Sequence, residues 1–142
     1  MAVSDFKPYV PAVQVEQGKL IKDIVERFVE HPTMQHICVV DKDGKLKGMV
    51  NLKRIFQTVF SHHVSADSRV TQLYNLLTSE KAGELMISDV MTVTEDVDIN
   101  PVIKKMIEHD LVEIPVVDND LHVLGFLTAG QILKKLAKAQ GF

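Results

Sequence analysis

Residues 115–133 read PVVDNDLHVLGFLTAGQIL, and residues 38–56 read CVVDKDGKLKGMVNLKRIF. The two stretches align without a gap at an offset of 77. Val39/Val116, Val40/Val117, Asp41/Asp118, Asp43/Asp120, Gly48/Gly125 and Ile55/Ile132 are identical pairs. Leu46/Val123, Met49/Phe126, Val50/Leu127 and Phe56/Leu133 exchange one apolar residue for another. An internal repeat decides the architecture before any single element does.

Outward from this core the repeat continues. Residues 15–31 match residues 93–109 at an offset of 78, with Val15/Val93, Ile21/Ile99, Glu30/Glu108 and His31/His109 identical. The one-residue change falls between 32–36 and 110–113, loop-like stretches where an insertion is best tolerated. Each copy shows the same succession of periods. Ile21, Ile24, Val25, Phe28 and Val29 recur at helical spacing, as do Ile99, Val102, Ile103, Met106 and Ile107. Pro101 stands near the helix start, where its missing N–H costs little. A β-rich run follows, 37–40 or 114–117, then a polar turn, then a second apolar run, 46–50 or 123–127. That is hairpin spacing. Asn51 and Thr128 sit where an N-cap belongs, and Thr128 with Gln131 has capping-box spacing. Each copy therefore reads β-α-β-β-α, with a first strand near 13–15 or 92–93. One copy is too small to bury its own core well, so the expected product is a compact pseudo-twofold domain with the two sheets packed together. Between the copies, Val70, Leu73, Leu76 and Leu77 predict a helix, and Gly83 interrupts the pattern.

The whole chain has 142 residues, 46% hydrophobic and 25% charged, which excludes a disordered chain. No apolar run approaches the roughly 18 residues of a membrane span. The first 13 residues lack a basic region and an apolar core, which argues against a secretory signal. The single Cys38 cannot form an internal disulfide, and the chain reads as cytoplasmic. Sixteen Lys and Arg against nineteen Asp and Glu leave −3, without the basic field of a dedicated nucleic-acid binder. Lys134, Lys135 and Lys138 read as cations that complement a helix C-terminus. There is no G-x-S-x-G, P-loop or C-x-x-C, so an enzyme is not expected.

Asp89-Val90-Met91-Thr92, a helix ending at Met106, Ile114-Pro115-Val116-Val117-Asp118 and Gly125-Phe126-Leu127-Thr128 together resemble the CBS domain; the first repeat is similar but less typical. The resemblance covers residues 13–138. It implies an α/β (α+β) pair of repeats, or Bateman module: residues 1–60 as the first repeat with an N-terminal extension, 61–87 as a helical linker and 88–142 as the second repeat. A free-standing protein is expected. Such pairs often dimerise into a flat disc and bind adenosine-containing ligands in clefts between the repeats, without catalysis. The resemblance thus implies a homodimer, an unknown target protein, no nucleic acid, no membrane insertion and no required cofactor. AMP, ADP, ATP or S-adenosylmethionine would be the regulatory ligand.

A nucleotide-binding repeat of this kind ends in Gly-x-x-Ser/Thr-x-x-Asp, in which the hydroxyl serves a phosphate and the Asp serves a ribose. Here Gly125 and Thr128 match, but Gln131 replaces the Asp. In the first repeat Gly48 matches, while Asn51 and Arg54 replace the hydroxyl and the acid. Gln131 is a weaker ribose acceptor. Arg54 cannot accept, but it has a fork suited to phosphate; the alternative is a solvated first-turn residue. By resemblance Thr92, Val93, Ile114 and Pro115 complete one site, and Gln14, Val15, Ile37 and Cys38 the other. The same residues also suit a plain core, and Cys38 reads as a small buried apolar residue. Loss of both acids keeps a second reading open, a ligand-free dimerisation scaffold. Of His31, His36, His62, His63, His109 and His122, the adjacent His62 and His63 lack the i,i+4 spacing that sets two imidazoles on one helix face, and no metal site is expected; His31 and His109 read as helix-end residues.

Overall fold

The computed structural model describes residues 1–60 and 66–141; His62 and His63 lie outside the described residues. The chain divides into two compact units, Val13–Val90 and Met1–Ala12 with Met91–Phe142. Each is α+β and each is built on one repeat.

The first-repeat unit contains β1 (Gln14–Glu16), α1 (Ile21–Glu30), β2 (His36–Val40), β3 (Leu46–Asn51), α2 (Leu52–Phe60), α3 (Ala66–Ser79) and α4 (Ala82–Leu85). The sheet runs β1-β2-β3, with β1 parallel to β2 and β2 antiparallel to β3. A parallel pair needs a crossover, and α1 supplies it. The helix buries Ile21, Ile24 and Phe28 on one face against Ile37, Val39, Val50 and Ile55. At the hairpin turn the Asp41 carboxylate accepts from the N–H groups of Asp43 (2.9 Å) and Lys45 (3.0 Å), an Asx-type turn. The helix predicted between the repeats is α3, whose Leu76 and Leu77 pack on this core; Gly83 falls in α4.

The second-repeat unit contains α5 (Ile99–Glu108), β4 (Glu113–Val117), β5 (Val123–Thr128) and α6 (Ala129–Ala139), preceded by a 3₁₀ turn at Val3–Phe6. The Asp98 side chain caps α5 by accepting from the Asn100 N–H at 3.1 Å. The first strand expected near Thr92 shrinks to one parallel bridge, Val93 to Val116. It is the repeat mate of the Val15–Val39 pair in β1 and β2. The carbonyls just downstream serve the N-terminus instead: Val3 N–H donates to Val97 O (2.9 Å) and Ser4 N–H to Glu95 O (3.0 Å).

Residues 1–12 thus pack within the second-repeat unit. Val3 and Phe6 are buried among Ile99, Val102, Ile114 and Leu127. Each such burial contributes about 1.5–3 kcal/mol as an upper estimate. Val10 pairs antiparallel with Phe126, and its repeat mate Ile87 pairs antiparallel with Met49. Both crossings need a glycine beneath them. A Cβ on Gly48 would lie 2.6 Å from the Ile87 carbonyl oxygen, and one on Gly125 would lie 2.7 Å from Tyr9 Cβ and 2.8 Å from Val10 O. Among the described residues no helix is long and apolar enough to cross a membrane.

Candidate functional site

In the second-repeat unit, β5 runs directly into α6, which places Thr128 at the N-cap. Its hydroxyl accepts from the Gln131 N–H at 3.1 Å, and Gln131 Oε1 accepts from the Thr128 N–H at 3.2 Å, closing the capping box expected from their spacing. Gln131 Nε2 donates to Pro8 O at 2.8 Å. Ile114 and Pro115 are buried in β4, opposite Leu127 and Phe126. Val93 is buried beside them, its N–H donating to Pro115 O at 3.1 Å, and half-buried Thr92 precedes it. Val93 and Ile114 join the core cluster on one face of the hairpin, whereas Pro115, next along β4, falls on the opposite face, which it shares with Phe126 and with Thr128 at the end of the neighbouring strand.

The first-repeat unit repeats the plan with different chemistry. Gln14 is exposed and stands opposite Cys38, while Val15 is buried opposite Val39. Ile37 and Cys38 are fully buried in β2. Asn51 Oδ1 accepts from the Arg54 N–H at 2.6 Å, so Asn51 does the work of Thr128 at the start of α2. Arg54 Nε donates to the Leu85 carbonyl at 2.7 Å, which ties the guanidinium to α4.

The polar groups outside these sites have structural work. His31 and His109 are the C-caps of α1 and α5. Asp118, Asp120 and His122 bring potential ligand atoms within 4.8 Å of one another. Asp118 accepts from the N–H groups of Asp120 and His122, both at 2.9 Å, and its other oxygen lies 3.2 Å from His122 Nδ1. The His122 backbone N–H, above all, holds the Asp118 carboxyl below its ordinary range. Asp41 is held low in the same way, first by the Lys45 N–H. The shared turn accounts for both acids.

A cluster that sequence reasoning missed lies at the N-terminal segment. Glu95 Oε2 accepts from the Tyr9 hydroxyl and pairs with Lys7 Nζ, each at 2.7 Å. Lys7 and then Tyr9 hold Glu95 low, while burial, then Glu95, push the Tyr9 hydroxyl well above its ordinary value. No spacing signal joins residues so far apart in sequence.

A family model for the CBS domain matches residues 3–61 and 82–138. An uncharacterized protein of Methanocaldococcus jannaschii is 27% identical, over 89% of this chain and 86% of that protein. The magnesium transporter MgtE of Thermus thermophilus is 27% identical over 87% of this chain, which spans only 24% of the transporter. Among solved structures, a CBS domain-containing protein of Thermotoga maritima is similar at 28% identity and a TM-score of 0.74, over 97% of this chain and 95% of that one. CBSX2, solved in complex with AMP, is similar at 21% identity and a TM-score of 0.73, over 98% of both chains. The CBS domain pair of MJ0100, solved with 5'-methylthioadenosine and S-adenosyl-L-methionine, is similar at 22% identity and a TM-score of 0.67, also over 98% of both. The family model takes in both repeats and most of the sequence, and the chain belongs to the CBS domain family.

Proposed function

We propose that this chain is a non-catalytic cytoplasmic regulatory module that senses an adenosine-containing small molecule (AMP, ADP, ATP or S-adenosylmethionine) and passes the bound state to a partner protein through a change of shape. The observation that carries this reading is Thr128 at the head of α6, on the sheet face it shares with Pro115 and Phe126. A helix N-terminus attracts phosphate, and a hydroxyl that accepts a hydrogen bond still has its own proton to donate. The apolar face beside Thr128 suits a base. AMP in CBSX2 and S-adenosyl-L-methionine in the MJ0100 pair are both adenosine compounds. Such a ligand moves the module only as far as its affinities for the two shapes differ.

The same reading includes a homodimer. Val29 and Ile107 are repeat mates, 73% and 75% exposed, and Phe56 and Leu133 are repeat mates, 62% and 69% exposed. Large apolar side chains left in water at equivalent places on both units are suited to a second copy of the chain.

A second reading, a ligand-free interaction scaffold, is favoured by the engagement of Gln131 with Thr128 and Pro8 and of Arg54 with Leu85. Native mass spectrometry of the purified protein, alone and with the four ligands, separates the two. A dimer with a nucleotide-sized adduct that Thr128→Ala removes supports the sensor. A dimer that ignores all four ligands overturns the sensor in favour of the scaffold.

A further inference from the structure

Gln131, Lys134, Lys135 and Lys138 fall at i, i+3, i+4 and i+7 of α6, and so on one face. The helix carries no Asp or Glu. Opposite that face the N-terminal segment places Asp5, Phe6, Lys7 and Pro8, and the two elements enclose a pocket of about 380 Å³. Four ammonium groups line it against the single Asp5 carboxylate, in a chain whose net charge is −3.

The four cations are not equivalent. Lys135 Nζ donates to the Asp5 carbonyl and lies 5.6 Å from the centroid of the Phe6 ring, so it is fixed in the wall. Lys7 is paired with Glu95 at 2.7 Å. The Asp5 carboxylate accepts from the Ala2 N–H at 2.9 Å. Lys134 and Lys138 have no carboxylate partner among the described residues. Complementing the helix dipole explains one cation near a C-terminus; it does not explain a walled pocket with two uncompensated ammonium groups.

We propose that the pocket between the N-terminal segment and α6 binds an oligophosphate, a chain of two or more linked phosphates. Lys134 and Lys138 stand one turn apart on α6 and Lys7 lines the pocket from the N-terminal segment, so the cations are spread around a pocket of about 380 Å³ that one phosphate does not fill, and a linked chain reaches more of them at once. Lysine meets phosphate as a point charge, so the pocket selects for charge and length rather than for a base. This goes beyond the adenosine reading, because no nucleoside is required. The phosphates could come from an inorganic polyphosphate or from the tail of a nucleoside triphosphate.

The test is calorimetric titration of the full chain with inorganic tripolyphosphate at low ionic strength, with orthophosphate, ATP and adenosine as parallel arms. Tripolyphosphate and ATP should bind in mutual competition, orthophosphate about tenfold or more weakly, and adenosine should not displace tripolyphosphate. Lys134→Gln with Lys138→Gln should weaken tripolyphosphate about tenfold or more, Lys134→Arg with Lys138→Arg should retain it, and added salt should weaken it steeply. Thr128→Ala should leave tripolyphosphate binding intact even where it abolishes AMP binding, which keeps this proposal separate from the adenosine site. In the wild-type chain, tripolyphosphate should shift the amide resonances of Lys134 and Lys138. No tripolyphosphate binding, equal binding of orthophosphate, binding indifferent to the double Gln change, or unmoved Lys134 and Lys138 resonances would each overturn the assignment.

Discussion

Val10 donates its N–H to the Phe126 carbonyl at 2.9 Å and accepts from the Phe126 N–H at 2.7 Å. One repeat earlier, Met49 donates to Ile87 O at 3.0 Å and accepts from the Ile87 N–H at 2.8 Å. Each hairpin is thus edged by the segment that precedes the other repeat, which covers main-chain groups that would otherwise offer an open strand edge.

The glycines under these crossings make the first prediction. Gly125 combines φ +148° with a Cβ position blocked by Tyr9 and Val10. Gly125→Ala should cost about 2–4 kcal/mol, from overpacking and from backbone strain together. Gly48→Ala meets a comparable clash at the Ile87 carbonyl without a positive φ, so its loss should be smaller. Urea denaturation measures both. Chymotrypsin cleavage after Tyr9 should quicken in Gly125→Ala alone. Unchanged denaturation midpoints would show that the crossings are looser than the distances imply.

Leu121 holds φ +65°, where its repeat mate Gly44 holds φ +83°. A left-handed leucine costs about 1–2 kcal/mol, and the side chain is 46% exposed, so little burial offsets it. Glycine adds unfolded-state entropy worth roughly 0.5–1 kcal/mol. Leu121→Gly should therefore stabilise the chain slightly, by up to about 1 kcal/mol, and Gly44→Leu should destabilise it by about 1–2 kcal/mol. A destabilised Leu121→Gly would mean that the leucine packs more than it strains.

Much of this was legible in the sequence because repeat mates do the same work. Asp41 and Asp118 build the same turn, Val15 and Val93 make the same parallel contact, and Thr128 and Gln131 close the box their spacing announced. The crossings were not legible. Tyr9/Met86 and Val10/Ile87 share only apolar character, and main-chain pairing leaves little side-chain signature. Nor could spacing reveal that Gln131 reaches Pro8, which is 123 residues away in sequence. The strand expected at Thr92 and Val93 shortened because its downstream carbonyls went to Val3 and Ser4, partners that no local pattern names.

The clasp around Glu95 predicts a pH dependence. Glu95 is held low by Lys7 and then Tyr9, so its contribution is present above the ordinary Glu value, about 4.3, and is lost as pH falls through its lower folded value. Tyr9 is pushed up, by burial first, so its contribution is present below the ordinary Tyr value, about 10, and lasts until pH passes its higher folded value. The N-terminal segment should stay docked from about pH 4.3 to 10 and loosen in acid. Hydrogen exchange at the Ser4 and Val10 amides should show faster opening below that window. Glu95→Gln should speed their exchange at neutral pH and flatten the acid-side change. Equal exchange in the variant and the wild type would remove Glu95 from the clasp.

The exposed repeat mates give the last prediction. Val29, Phe56, Ile107 and Leu133 are all more than 60% exposed, and a Leu or Ile that becomes buried contributes about 1.5–3 kcal/mol. Beside Ile107 and Leu133 lies a cavity of about 400 Å³ whose lining includes Ile103, Met106, Leu111 and Ile132, with room for side chains from another copy. The chain should run as a dimer in size-exclusion chromatography with light scattering. Ile107→Glu with Leu133→Glu should yield monomers with an unchanged circular dichroism spectrum, because a charge at a desolvated contact has no partner while these positions face water in the monomer. Val29→Glu with Phe56→Glu should do the same if both units contribute. An effect from only one pair would confine the contact to one unit, and a wild-type monomer at tens of micromolar would rule out a stable homodimer through these faces.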